Sequence, residues 1–355
     1  MPNTLNITIT PDLLNKIVEI DRFNSSWNRG GLKVSPWQLN AMKRVATIES
    51  IGSSNRIEGN HFSDAEVENL FSNIDKKSFK TRDAQEIAGY ADLLTTIFNN
   101  YNEIKLSENY IRQLHQILLS YSAKDARHRG EYKKSPTRVA AFDASRKEIG
   151  VIFETASPFD TPHLMEDLIH WTNTNFAEGY LHPIIVIGVF IVHFLSIHPF
   201  VDGNGRLSRA LTILLMLQHG YSYMPYASME SIIEANKEAY YRSLRGTQKN
   251  IFSNKINYEP WLTFFVTSLV EQKRHLEAKV CAAAQQQPNI IRFNKTAQSI
   301  LDLFKQKPDW SVAEMTAKLA KNRETIKQNV HNLVKNNVLI KHGTTKAAYY
   351  TLNQL

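Results

Sequence analysis

The sequence predicts a mainly α-helical protein, with one β-hairpin in its middle and a small basic domain at its C-terminal end. Three observations carry this reading. Apolar residues recur at spacings of three and four through most of the chain, the period of a helix with one buried face. Two β-prone runs, 138–142 (RVAAF) and 149–153 (IGVIF), flank the polar link 143–147 (DASRK), with Gly130, Pro136 and Pro158 as punctuation. The polar tract Gln285-Gln286-Gln287-Pro288-Asn289 then separates off a segment of different charge. Residues 288–355 hold 11 Lys and Arg against 4 Asp and Glu, although the net charge of the whole chain is only +8.

Taken in order, residues 1–40 read as an irregular or extended lead-in with some helix, broken by Gly30-Gly31 and Pro36. Trp37, Leu39, Met42, Val45, Ile48 and Ile51 predict a helix over 36–55. Gly59 and Asn60 tolerate the left-handed backbone of a helix end. Ser63 followed by Glu66 predicts a capping box and a new helix. Ala84, Ile87, Ala91, Leu94 and Ile97 place a helix over 82–101; Ile111, Leu114, Ile117 and Leu118 place another over 107–121. After the hairpin, helices are expected over 161–178, 183–197, 205–219, 228–245, and from 258 to about 284. Beyond the polar tract come helices over 295–305, 311–319 and 323–336, then strands over 338–342 and 347–352. Three helices followed by a hairpin is the layout of a winged helix-turn-helix. The expected division is 1–105, an N-terminal helical region; 106–284, a helical core with the hairpin; and 285–355, the winged unit.

Composition narrows the class. With 43% apolar and 21% charged residues the chain is folded rather than disordered. A single cysteine, Cys281, leaves no intrachain disulfide and suits a reducing compartment, so a cytoplasmic location is expected. The opening residues MPNTLNITITPDLL lack the basic-then-apolar layout of a signal peptide. The longest apolar run, 183–197, contains His193 and is shorter than the roughly 20 residues of a membrane span. It reads as a buried helix, and no membrane partner is expected.

The chemistry is concentrated in one stretch, His198-Pro199-Phe200-Val201-Asp202-Gly203-Asn204-Gly205-Arg206-Leu207-Ser208-Arg209. Apolar sequence lies on both sides, and so polar a loop would be costly to bury without a purpose. Gly203-Asn204-Gly205 permits backbone angles that gather N–H groups around an anion, and a helix starting near Gly205 points its positive end at the same place. Arg206 and Arg209 share one helix face and can fork onto phosphate oxygens. Asp202 is a hard oxygen ligand of the kind Mg²⁺ takes when it also bridges phosphates. His198 can accept a proton near neutral pH. Together these parts compose a nucleotide-phosphate site with a metal and a general base.

The same stretch resembles the signature of the Fic family, HxFx(D/E)GNGRxxR, at every defined position, and the resemblance covers about residues 36–270. It implies a Fic-type helical core with a β-hairpin flap. It further implies a protein adenylyltransferase that moves AMP from ATP onto a Ser, Thr or Tyr hydroxyl of a target protein, itself included. His198 would deprotonate the hydroxyl, and Asp202 would hold Mg²⁺ between the α- and β-phosphates. Gly203, Asn204 and Gly205 would cradle phosphate, Arg206 would meet the β-phosphate and Arg209 the γ-phosphate. The hairpin matches the family's flap, which aligns the target by strand addition. Here Lys133 stands where an arginine is common, and Thr155-Ala156-Ser157-Pro158 replaces the Pro-Pro that often closes the flap. Asn236, Tyr240 and Tyr241 fall where similar proteins contact adenosine. Ser54-Asn55-Arg56-Ile57-Glu58-Gly59 is similar to the family's inhibitory motif, (S/T)xxxE(G/N). That implies a Glu58–Arg209 ion pair, steadied by Ser54, which withholds Arg209 from the γ-phosphate. In some relatives the same glutamate supports removal of AMP, so a deAMPylase is also implied.

In the basic unit, Arg323, Lys327, Gln328, Asn329, His331 and Lys335 would enter a DNA groove, with Lys341, His342 and Lys346 on the wing. A protein-docking or dimerisation role fits the same layout, which leaves a homodimer open. The alternative to a transferase is a DNA-binding regulator whose Fic domain senses nucleotide.

Overall fold

The computed structural model describes residues 7–30, 34, 36–71, 79–142, 148–253, 255–285, 294–304, 307–335, 338–343 and 348–352. The hairpin link 143–147, the tract 286–289 and Lys346 lie outside them. The chain forms two compact units: residues 1–32 with 42–278, and residues 33–41 with 279–355.

The first unit is helical around one apolar rod. This is α7 (Pro183–Ile197), in which every residue from Ile184 to Ile197 is buried. A helix apolar on all sides can only be a core helix, and its neighbours fit closely. Gly188 lets Leu262 and Phe265 of α11 (Glu259–Gln285) approach its backbone, and Trp261 donates Nε1–H to Gly188 O at 2.6 Å. Against α7 pack α6 (Thr161–Glu178) and α8 (Asn204–Gln218), the helix on the far side of the signature loop. Around them lie α4 (Arg82–Asn100) and α5 (Glu108–Leu118). Gly89 permits this pair to meet, because a Cβ there would overlap the Leu118 carbonyl.

The N-terminal lead-in differs from expectation. It is largely an 18-residue helix, α1 (Pro11–Asn28), capped by Thr10, with Leu13, Ile17, Ile20 and Phe23 buried. Tertiary contacts fix it: ion pairs join Glu19 to Lys273 and Arg274, and hydrogen bonds join Asp21 to His182 and to the Tyr221 hydroxyl. Next come α2 (Pro36–Ile57) and α3 (Asp64–Phe71). The Ser63–Glu66 capping box forms as expected. The helix expected over 228–245 is two, α9 (Met229–Ala235) and α10 (Lys237–Gln248). Asn236 interrupts them by returning its Nδ2–H to Ile232 O. The hairpin is present as β1 (Arg138–Phe142) and β2 (Glu148–Glu154), antiparallel, with register shifts after Val139 and Ala141.

The second unit contains α12 (Lys295–Leu303), β3 (Asp309–Ser311), α13 (Val312–Leu319), α14 (Arg323–Lys335), β4 (Leu339–His342) and β5 (Tyr349–Leu352). Its three-stranded sheet runs β3-β5-β4, and its core is Ile300, Trp310, Met315, Ile326, Val330, Leu333 and Leu339. Strand β3 was not expected. It is three residues long, too short to show a period, and it is recruited by pairing with β5.

Candidate active site

The site begins where α7 ends. His198 closes α7 with a left-handed backbone, φ 53°, which strains a residue bearing a Cβ. The loop that follows is held by the Asn204 side chain, which donates to Phe200 O at 2.9 Å and accepts from Phe200 N at 3.0 Å. Asn204 is therefore a loop clip, and its side-chain amide faces the loop's own backbone. Gly203, at φ 80°, then turns the chain into α8, and no side chain caps this helix. Its first N–H groups are left for an anion.

His115, which sequence reasoning missed, fixes the Asp202–Gly203 turn. It is fully buried on α5 and stacks on Phe200 with ring centroids 3.8 Å apart. Gly130 N–H donates to its Nδ1 at 2.8 Å, so its Nε2 carries the proton and donates to Asp202 O at 2.9 Å. Burial lowers its pKa to about 4, so it is neutral at physiological pH. The Asp202 carboxylate accepts from Gly203 N at 2.6 Å and pairs with Arg206 at 3.3 Å and Arg82 at 3.0 Å. Burial opposes its charge, but these cations and the Gly203 N–H hold its pKa below the usual value. Among the described residues no group of three or more His, Cys, Asp or Glu could cage a metal. A single carboxylate still fits a Mg²⁺ ion that takes its other ligands from phosphates and water.

Two arginines of α8 carry donors without acceptors. Arg206 is 2% exposed; Asp202 takes its Nη2, and its Nε and Nη1 make no hydrogen bond, although Nη1 lies 3.7 Å from the Glu86 carboxylate. Arg209 is 4% exposed. Its Nε donates to Ser54 Oγ at 2.8 Å, and its Nη2 to Ser54 O at 2.9 Å and Glu58 Oε1 at 2.8 Å; its Nη1 is unpartnered. Burial works against its charge, yet Glu58 leaves its pKa raised on balance. Unsatisfied buried guanidinium groups at an uncapped helix N-terminus are the donor set of an anion site.

Glu58 is the anion found there. It lies one residue past α2, whose end is closed by Gly59 at φ 96°. A Cβ on Gly205 would overlap the Glu58 carboxylate, so that carboxylate rests on the first turn of α8. The segment is firmly anchored. Arg56 forks onto Glu234 of α9 at 2.7 and 3.0 Å and reaches Asp64 at 2.9 Å. Ser50 donates to the buried Glu230, also on α9, at 2.9 Å, and Tyr90 donates to its other oxygen. Arg56, Tyr90 and Glu230 gave no local sequence signal, because their partners are far away in the chain.

Of the residues expected to wall an adenosine, Tyr240 is buried beside Arg209 and meets Tyr241 edge-on at 5.1 Å. Burial, followed by the Glu58 charge, raises the Tyr241 pKa, which puts this half-buried ring near the same cluster. Asn236 instead stands exposed at the α9–α10 break. His198 has a buried Nδ1 without a partner. Burial first, and the Lys133 charge next, lower its pKa to about 4, so its imidazole is neutral and able to take a proton.

In the second unit, Arg323, Lys327, Gln328, His331 and Lys335 of α14 are exposed, whereas Asn329 turns inward and donates to Thr325 O. Among the described residues no helix is long and apolar enough to cross a membrane.

Comparison with known proteins shows what this chain is similar to. Residues 105–216 match the Fic/DOC family. A protein adenylyltransferase Fic of Drosophila virilis is 28% identical over 188 residues, 52% of this chain and 35% of the relative. The chain thus spans about a third of the length of the curated relatives it matches. A Fic family protein of Desulfovibrio desulfuricans aligns over 98% of both chains with TM-score 0.63 and 19% identity. A Fic domain protein of Bacteroides thetaiotaomicron aligns over 75% of this chain and 97% of its own, with TM-score 0.57 and 23% identity. These structures share the fold.

Proposed function

We propose that this chain, whose residues 105–216 match the Fic/DOC family, transfers AMP from ATP to a Ser, Thr or Tyr hydroxyl of a protein, and that Glu58 restrains it. The observation that carries this is one cluster. A neutral His198 stands beside an uncapped helix N-terminus where Arg206 and Arg209 hold unused buried donors. Positioning and charge neutralisation are what transfer at phosphorus chiefly needs.

The target hydroxyl oxygen forms a bond to the α-phosphorus of ATP, the bond from that phosphorus to the bridging oxygen breaks, and pyrophosphate leaves. His198 takes the hydroxyl proton. The phosphates' negative charge would raise the His198 pKa from its low value and stabilise the imidazolium. Arg206 would receive the β-phosphate on Nε and Nη1, which make no hydrogen bond, and Arg209 the γ-phosphate. Bound Mg²⁺, held by Asp202, would neutralise phosphate charge. Tyr240 and Tyr241 would face the nucleoside, and the hairpin would offer its strands to the target. Glu58 would oppose all this as an internal anion, on the helix end and on the arginine that the γ-phosphate requires. The curated relatives' name, protein adenylyltransferase, supports the reading.

For the second unit we propose a winged helix that binds DNA through the exposed cationic face of α14, with affinity falling steeply with salt. A single exposed Cys281 fits action in a reducing cytoplasm. The transferase reading is tested with ATP labelled at the α-phosphate. Label should enter protein in the Glu58→Gly variant and be lost when His198→Ala is added. No incorporation with any protein substrate, the chain itself included, would refute it.

A further inference from the structure

The segment from Gly130 to Lys133 enters the core beside the signature loop. Its last residue is a lysine that is 2% exposed. Lys133 Nζ donates to Ile197 O at 2.8 Å, Thr155 Oγ1 at 2.8 Å and Thr137 Oγ1 at 3.3 Å. An ammonium has three protons to donate, so each has an acceptor. None of the three acceptors is a carboxylate, and burial lowers the Lys133 pKa to about 8. Burying a cation among neutral acceptors is costly, and an apolar side chain would fill this space more cheaply. The charge and its geometry therefore call for a use.

The contacts indicate one. Lys133 reaches the carbonyl just before His198 with its side chain, and the carbonyl just after, Pro199 O, with its own N–H at 2.8 Å. It thus grips both sides of the strained residue. Thr137 immediately precedes β1 and Thr155 immediately follows β2, so the same ammonium holds both feet of the hairpin. Thr155 Oγ1 also donates to Thr137 O at 2.7 Å, which closes the base of the hairpin.

We propose that Lys133 is a positioning residue: it locks the backbone of His198 in its left-handed conformation and ties the hairpin feet to it, so that base and target strand share one anchor. This rests on the reading of His198 as the base and of the hairpin as the target's docking edge. The charge acts on the imidazole as well. Of the groups facing His198, Lys133 disfavours its protonation, while Glu58 and Asp202 favour it.

The test compares Lys133→Met, which keeps the stem and removes donors and charge, with Lys133→Arg, which keeps a cation with donors. By NMR titration of the histidine rings, His198 should titrate near 4 in the starting protein and in Lys133→Arg, and higher in Lys133→Met. With labelled ATP in the Glu58→Gly background, Lys133→Met should slow transfer by about 10- to 100-fold while the KM for ATP stays within about twofold. Lys133→Arg should recover most of that rate. A folded Lys133→Met protein with unchanged titration and rate overturns the proposal. Should that variant not fold, Thr137→Val with Thr155→Val frees the hairpin feet from Lys133 and keeps its bonds to Ile197 O and Pro199 O; an unchanged transfer rate there overturns it too. The titration requires no turnover, so its outcome is separable from failure of the transferase reading.

Discussion

Consider the removal of Glu58. Arg209 is 4% exposed and would lose a charged partner at 2.8 Å. Breaking a fully buried ion pair costs about 3–5 kcal/mol. Here the Glu58 side chain is 35% exposed, and Arg209 keeps both bonds to Ser54. The cost in Glu58→Gly should therefore be nearer about 1–2 kcal/mol. For a unit of this size that lowers the apparent Tm by about 2–4 °C. The freed Arg209 should then recover a partner from ATP but not from ADP, which lacks the γ-phosphate. A hydrogen bond between charged groups contributes about 1.5–3 kcal/mol, so preference for ATP over ADP should widen by about 10- to 100-fold. Isothermal titration calorimetry on both proteins, with both nucleotides and Mg²⁺, measures this. Adding Arg209→Ala should abolish the gained preference, which assigns it to that residue. If Glu58→Gly binds ATP and ADP in the same ratio as the starting protein, Glu58 does not compete with a γ-phosphate.

Other outcomes follow from the same geometry. In Gly205→Ala the new Cβ should push the Glu58 carboxylate off α8, and because a flexible side chain yields more readily than backbone, the fold should survive with the melting temperature lowered only slightly. His115→Gln should loosen the Asp202–Gly203 turn and weaken binding of ATP with Mg²⁺ by about tenfold, the free-energy equivalent of one hydrogen bond, read by the same calorimetry. Stability should fall as pH drops from 6.5 towards 4.5. Buried His115 and His193 have folded pKa values of about 4 and about 3, so the unfolded chain binds more protons in this window. Each contributes about 2 kcal/mol at neutral pH that is largely lost by pH 4.5, while Glu230, raised by burial, works in the opposite direction. Urea midpoints measured across this range check the sign.

Much of the site was legible because its parts are contiguous. A stretch from His198 to Arg209 brings a helix end, a turn and the next helix start, so spacing alone aligns imidazole, carboxylate and guanidinium groups. Glu58 was legible for another reason: a short motif at a helix end, marked by Gly59. Long-range partners were not. His115 looks in sequence like one polar residue on an amphipathic helix, and only the fold places it under Asp202. Lys133 stood out only as a substitution in a pattern, without its three acceptors. Helix α1 shows the converse. Leu13, Ile17, Ile20 and Phe23 already follow a helical period after Thr10-Pro11, but the Gly30-Gly31 break and the polar flanks obscured it, and long-range contacts from Glu19 and Asp21 complete it. The α9–α10 break at Asn236 turned on a local side-chain bond that competes with the helix, which periodicity does not register.

The most direct test is the intact mass of the Glu58→Gly protein after incubation with ATP and Mg²⁺, alone and with a cell extract. The expected result is protein carrying whole AMP increments, increased over the unmodified sequence and absent when His198→Ala is added. ATP binding of the expected strength with no mass gain on any protein would contradict transfer and leave a nucleotide-sensing site in its place.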